Sequence, residues 1–199
     1  MDNKEIDINK RIELHGLWLN LCEDGEKLVL IGADLQGINL SKADLREANL
    51  IRTELSDANL CGANLCRADL TGADLRRTKL QGTNLRGANL READLTGADL
   101  REANLYGANL RRTNLTGADL KEANLCETLG NSKEIKTIQT NRYLINYTNQ
   151  VMQIGCENHL IEDWFNFDDE VILRMEGEAA LSWWKHWKPI LKQIIDGGE

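Results

Sequence analysis

Ala43-Asp44-Leu45-Arg46-Glu47, Ala88-Asn89-Leu90-Arg91-Glu92 and Ala118-Asp119-Leu120-Lys121-Glu122 are copies of one five-residue unit. Leucine recurs at every fifth position from Leu30 to Leu125, twenty times without a break. A period of five fits neither the 3.6 residues of an α-helical turn nor the two-residue alternation of a strand. It also differs from the seven or eleven of a supercoil. A short unit repeated without interruption is the mark of a solenoid, in which each repeat buries its apolar side chain only by stacking on its neighbours.

If every leucine is to be buried, each unit turns the chain by the same angle. Four units then close a square coil of twenty residues, with four leucines per layer. The first residue of each unit, two before the leucine position, is Ala or Thr from Ala43 to Thr128. A narrow square interior filled with leucine has room only for a small second side chain, because protein interiors pack to near-crystal density. Leu28 and Ile38 break this rule, so the first coil is expected to be wider or irregular. The remaining positions read Asp, Asn, Arg, Glu, Lys, Ser and Thr, with Gly62, Gly72, Gly87 and others at the corners. Asn or Asp before the leucine favours a turn by bonding nearby backbone. About five such coils, spaced as strands are, make a rod roughly 24 Å long.

The pattern A(D/N)LxG or A(D/N)LRE resembles the pentapeptide-repeat family over residues 31–128, with Glu54 and Lys79 departing from its Asp or Asn. The resemblance implies a β-solenoid, specifically a right-handed quadrilateral parallel β-helix. It also implies a possible activity, since some members resemble duplex DNA in size, shape and charge and bind DNA gyrase or topoisomerase IV as mimics.

The chain divides into residues 1–30, an N-terminal helical cap and lead-in; residues 31–128, the solenoid; and residues 129–199, a small C-terminal α+β cap. A solenoid needs such ends, because an open coil edge would pair with another copy. Residues 4–21 place Ile8, Ile12, His15, Trp18 and Leu19 at helical spacing, with His15 and Trp18 read as packing residues, and Glu23-Asp24-Gly25 turns the chain into the first coil. Beyond a linker at Gly130-Asn131-Ser132, short strands are expected over 135–140, 142–148 and 151–156, with a turn at Asn149-Gln150. Asp168 then reads as the N-cap of a helix over Asp169–Met175, followed by a second helix over 177–195 that Pro189 should kink or divide. The stretch from Ile154 through Trp164, Trp183, Trp184 and Trp187 resembles a module appended to other bacterial and phage pentapeptide-repeat proteins. Its tryptophans read as packing on the last coil or, alternatively, as an exposed partner-binding patch.

The chain carries net charge −8, yet residues 31–125 hold 13 basic and 13 acidic residues, so the acid excess belongs to the flanks. Within the rod, residues twenty apart stack into columns. One is acidic: Asp34, Glu54, Asp74 and Asp94, beside Arg76 and Arg77. Another stacks Arg91 on Arg111, and a third Glu47 on Arg67. A neutral rod argues against a phosphate mimic, which should project a strong negative field. Cys156, His159 and Asp163 could be drawn as nucleophile, base and orienting group of a hydrolase, but nothing in their spacing supports it. Cys156 and His159 supply two zinc ligands where a structural site wants four.

The sequence therefore reads as a non-catalytic, rigid protein-interaction scaffold with no metal or cofactor, a monomer or homodimer whose partner is an unidentified protein. A gyrase-binding DNA mimic is the alternative, and direct nucleic-acid binding is not expected. Five cysteines without a pairing scheme, no long apolar run and no signal pattern point to the cytoplasm. The candidate surface comprises Asp34, Glu54, Asp74, Asp94, Arg76, Arg77, Arg91, Arg111, Trp183, Trp184 and Trp187.

Overall fold

A computed structural model describes residues 3–130, 135–149, 151–155 and 157–197. Helix α1 (Asn3–Leu19) leads into the repeats, and parallel bridges then join residues twenty apart, from Val29↔Asn49 to Asn109↔Leu129. Four units thus make one turn of the solenoid, and each wall carries one bridged residue, the one before leucine. The bonds run both ways along the rod: Leu65 N–H donates to Asn84 O at 2.8 Å, and Asn84 N–H to Ala63 O at 3.0 Å. All twenty repeat leucines are buried, as are the Ala and Thr two residues before them through the middle of the rod.

Every corner is a four-residue turn, such as Leu60–Ala63, closed by Ala63 N–H to Leu60 O at 3.0 Å. Its third residue has positive φ and its second does not, which is the type II pattern. This explains glycine at Gly62 (φ 65°), since a Cβ there crowds the backbone. Where glycine is absent, solvated residues such as Arg52, Asp57, Arg67 and Arg77 accept the left-handed conformation. The Asp or Asn before leucine holds the corner from outside: Asp74 Oδ1 accepts from Arg76 N–H at 3.1 Å, and Asn104 Oδ1 from Tyr106 N–H at 3.1 Å. Threonine is tolerated inside because its hydroxyl reaches a leucine carbonyl of the preceding coil, as Thr83 does to Leu60 O at 2.7 Å. That bond removes the cost of burying the hydroxyl.

The first coil is not irregular. Asp34↔Glu54 and Asn39↔Asn59 keep the twenty-residue register of the middle of the rod. Leu28 and Ile38 fit because they share a buried cluster with Ile8 of α1. The outer side of this layer meets a helix rather than another square coil, so larger side chains have room.

The C-terminal segment forms a four-stranded antiparallel sheet in the order β1 (Lys136–Gln139), β2 (Leu144–Tyr147), β3 (Val151–Ile154), β4 (Glu157–Leu160), followed by α2 (Ile161–Asn166) and α3 (Asp169–Asp196). Asn131, Ser132 and Gln150, expected in the linker and hairpin turn, lie outside the described residues. One sheet face, with Ile145, Tyr147, Met152 and Ile154, packs on Trp164, Ile172, Leu181 and Trp184. The other face meets the last coil, so all four residues of β3 are buried. Asp168 caps α3 by accepting Val171 N–H at 2.9 Å, and the helix breaks at Glu176–Gly177, where Gly177 has φ 72°.

Pro189 does not divide the helix: the only residues inside α3 with non-helical backbone are Glu176 and Gly177. Pro189 and Lys185, whose carbonyl loses its partner, both lie on the exposed side, where water can replace the missing bond.

Candidate functional site

The acidic column is assembled on one wall, where Asp34↔Glu54, Glu54↔Asp74 and Asp74↔Asp94 are consecutive bridges. It is not a bare negative stripe. Arg76 Nη2 pairs with Asp74 at 2.6 Å and Arg77 Nη2 with Asp57 at 2.6 Å. The side-chain bonds from these arginines hold both carboxyls below the ordinary carboxylate range. Gln36 donates to Glu54 at 2.9 Å, and the Asp94 carboxylate accepts from the backbone N–H of Thr96 at 3.0 Å. Arg91 and Arg111 stack on successive coils, with Gly72 N–H donating to Arg91 O and Glu92 N–H to Arg111 O. Arg91 and Arg112 both reach Glu92, at 2.8 and 3.3 Å, and lower its pKa. Of the four acids in the column, Asp74 is matched by an arginine, whereas Glu54 and Asp94 are held by neutral donors.

Trp183 and Trp184 are buried within the cap, while Trp187 is half-buried and stacks on Trp183 with centroids 6.1 Å apart. The first two pack in the cap's own core, with Ile145, Met152 and Trp164, not on the last coil as expected, and neither forms an exposed aromatic patch. Their indole N–H groups have no hydrogen-bond partner among the described residues, and both side chains line a cavity of about 30 Å³ with Tyr143, Glu157 and Glu176. That volume holds little more than a water molecule or two. Cys156 lies outside the described residues. His159 faces Glu157 at 3.3 Å and sits edge-on to Trp164 and Phe167. Among the described residues no cluster of three or more His, Cys, Asp or Glu is placed to hold a metal, and no helix is long and apolar enough to cross a membrane.

Two polar features join the caps to the rod. His15 is fully buried; Leu28 N–H donates to its Nδ1 at 3.1 Å, which leaves Nε2 to carry the proton and donate to Arg46 O at 2.8 Å. It is thus a neutral splint between α1 and two coils, more than a packing residue. At the other end, Asn146, Gln153 and Asn158 are register partners across β2, β3 and β4. Gln153 Oε1 accepts from Leu125 N–H, Asn146 Nδ2 donates to Leu125 O, and Asn158 Nδ2 donates to Ala123 O, each at 2.5 Å. Amide side chains here replace the rungs that a further coil would supply. The detectable signal was an amide in the middle of each of two short apolar strands.

The His15 geometry predicts a pH dependence. Burial, the largest cause, lowers its pKa below the usual value of 6.5; the bond to the Arg46 carbonyl and the charge of Asp44 oppose this, whereas the charges of Lys27 and Arg46 act with it. Protonation would set Nδ1–H against Leu28 N–H. The unfolded chain binds this proton first, so stability is complete above pH 6.5 and falls below it by about 1.4 kcal/mol per unit until the folded pKa is reached. Asp44, Asp57, Asp74 and Asp99 have lowered pKa values and lose their contribution only as pH falls below the ordinary carboxylate range. Urea unfolding from pH 7 to 5 should show the loss, and a His15→Gln variant should flatten it. An unchanged slope in that variant would place the titration elsewhere.

With this geometry established, comparison with known proteins gives one family match. The family described as Pentapeptide repeats matches residues 29–65, 53–91, 68–107 and 93–129, in eight copies. Comparison with curated proteins gives no match. Among solved structures, a pentapeptide repeat protein from the Arabidopsis thaliana thylakoid lumen is 33% identical over 48% of this chain and 63% of its own, with TM-score 0.40. This chain thus spans less than two thirds of that protein. A pentapeptide repeat protein from Nostoc PCC 7120 is 40% identical over 42% of this chain and 77% of its own, with TM-score 0.39. Full-length QnrB1, a plasmid-mediated fluoroquinolone resistance protein, is 20% identical over 49% and 70%, with TM-score 0.24, a likeness of fold alone.

Proposed function

The chain belongs to the pentapeptide-repeat family, whose members adopt a right-handed quadrilateral β-helix, and from that premise we propose that it is a non-catalytic, rigid scaffold for binding another protein in the cytoplasm. The observation that carries this reading is the fixing of the rod's outer side chains. Asp74, Asp57 and Glu92 are each pinned by arginine, and Asn84 and Asn109 donate to Asn64 and Asn89 of the preceding coils at 3.1 and 3.2 Å. A surface ordered before contact loses little side-chain entropy on binding. The same fixing suits recognition better than chemistry, which needs groups free to exchange protons. The caps, proposed as residues 1–30 and 129–199, keep the rod a discrete body.

The test is affinity capture with wild-type protein and a variant carrying Asp34→Asn, Glu54→Gln, Asp74→Asn and Asp94→Asn. These changes remove the charge of the acidic wall and keep the bonds that hold its corners. A stoichiometric protein partner, bound more weakly by the variant, supports the scaffold reading. A gyrase supercoiling assay runs beside it: inhibition at stoichiometric protein would overturn the generic scaffold in favour of the DNA-mimic alternative.

A further inference from the structure

Helix α1 ends in a paired turn, with Cys22 N–H donating to Leu17 O and Leu21 N–H to Trp18 O, both at 3.0 Å. Leu21 occupies the left-handed position of that turn, with φ 58°. Glycine is the usual residue there, because any Cβ crowds the neighbouring carbonyl. The Leu21 side chain recovers nothing by packing, since it is 94% exposed. One turn back, Leu17 is 40% exposed. Among the described residues, eleven other non-glycine residues take this conformation, all of them charged side chains at corners of the rod, so a bare apolar side chain there sets Leu21 apart.

The surrounding charge indicates what covers this patch. Glu13 lies one turn before Leu17 on the same helix face, and Glu23, Asp24 and Glu26 follow Leu21; all four are exposed, and none is ion-paired among the described residues. Against these four carboxylates stand two lysines: Lys27, engaged over the Trp18 ring 5.5 Å from its centroid, and Lys10, nearly two turns before Leu17. An apolar knob bordered by carboxylates repels a second copy of itself and attracts leucines bordered by Lys or Arg.

We propose that Leu17 and Leu21 form a docking knob for a basic amphipathic helix of another protein, its apolar stripe covering the two leucines and its cations meeting Glu13, Glu23 and Asp24. This rests on the scaffold reading and assigns it a contact at the N-terminal end.

The probe is a synthetic Leu/Lys amphipathic helix of roughly eighteen residues, long enough to be helical, with a Leu/Glu peptide of the same pattern as control. The full-length protein should bind the Lys peptide about tenfold more tightly than its Leu21→Gly variant does, and should not bind the Glu peptide. Leu21→Gly should melt no lower than wild type, because it relieves the turn. Equal affinity of the two proteins, equal binding of the two peptides, or a lower melting point for Leu21→Gly would each overturn the proposal. If the partner captured with the intact rod binds Leu21→Gly unchanged, the scaffold stands and only this contact falls.

Discussion

Leu90→Ala should cost about 4–5 kcal/mol, the upper end of the range for large-to-small core changes. Leu90 is wholly buried, and the small Ala88 and Ala93 beside it cannot extend into the void. The walls cannot collapse inward either. Leu90 N–H is tied to Asn109 O at 2.8 Å, and Asn89 N–H to Ala68 O at 2.9 Å, so the backbone is held from both neighbouring coils. The matching change at the end of the rod, Leu30→Ala, should cost about half as much, roughly 2 kcal/mol, because side chains of α1 can shift toward the gap. Urea unfolding of both variants checks the difference. Equal losses would show that the middle of the rod yields as readily as its edge.

Removing residues 131–199 should convert the protein into an associating species. Such a truncation keeps the last coil complete through Leu129, which bridges Asn109. It frees Leu125 N–H, Leu125 O and Ala123 O from the three amides that now hold them, and uncovers Leu125, fully buried in the intact chain. Exposed edge groups over an open apolar layer pair with whatever strand edge they meet. Solution mass should therefore rise with concentration for the truncated chain and not for the intact one. A Gln153→Leu, Asn146→Leu variant, with the sheet still present, should lose stability without gaining mass, which separates edge bonding from coverage. A truncated chain that remained monomeric at high concentration would assign the cap another role.

The rod was legible because one physical requirement, burial of a leucine every fifth residue, fixes turn angle, coil length and interior size together. The corner role of Asp and Asn was legible for a similar reason: the bond is local, from a side chain to backbone two residues on, as in Asp74 to Arg76. The break in α3 was visible in Asp168 and Gly177, whose preferences are also local. Strand β4 (Glu157–Leu160) and helix α2 were missed. The segment Glu157-Asn158-His159-Leu160 has no apolar alternation, because Asn158 faces a polar coil edge rather than a core. His15 packs inward as its spacing indicates, but its two hydrogen-bond partners, thirteen and thirty-one residues away, are set by the docking of α1 and leave no local signal. Of the candidate surface, the columns follow from the coil length, whereas the burial of Trp183 and Trp184 depends on the fold of a cap that has no repeat to reveal it.

The twenty-residue register of the bridges also governs how such a chain can lengthen. Insertion of a full coil shifts the two caps apart by one strand spacing, about 4.8 Å, and preserves their mutual orientation. Insertion of a single unit instead rotates the C-terminal cap by a quarter turn about the axis. Reach and bearing of the two ends are therefore independent settings, changed in discrete steps by duplication alone, with no new interior to evolve.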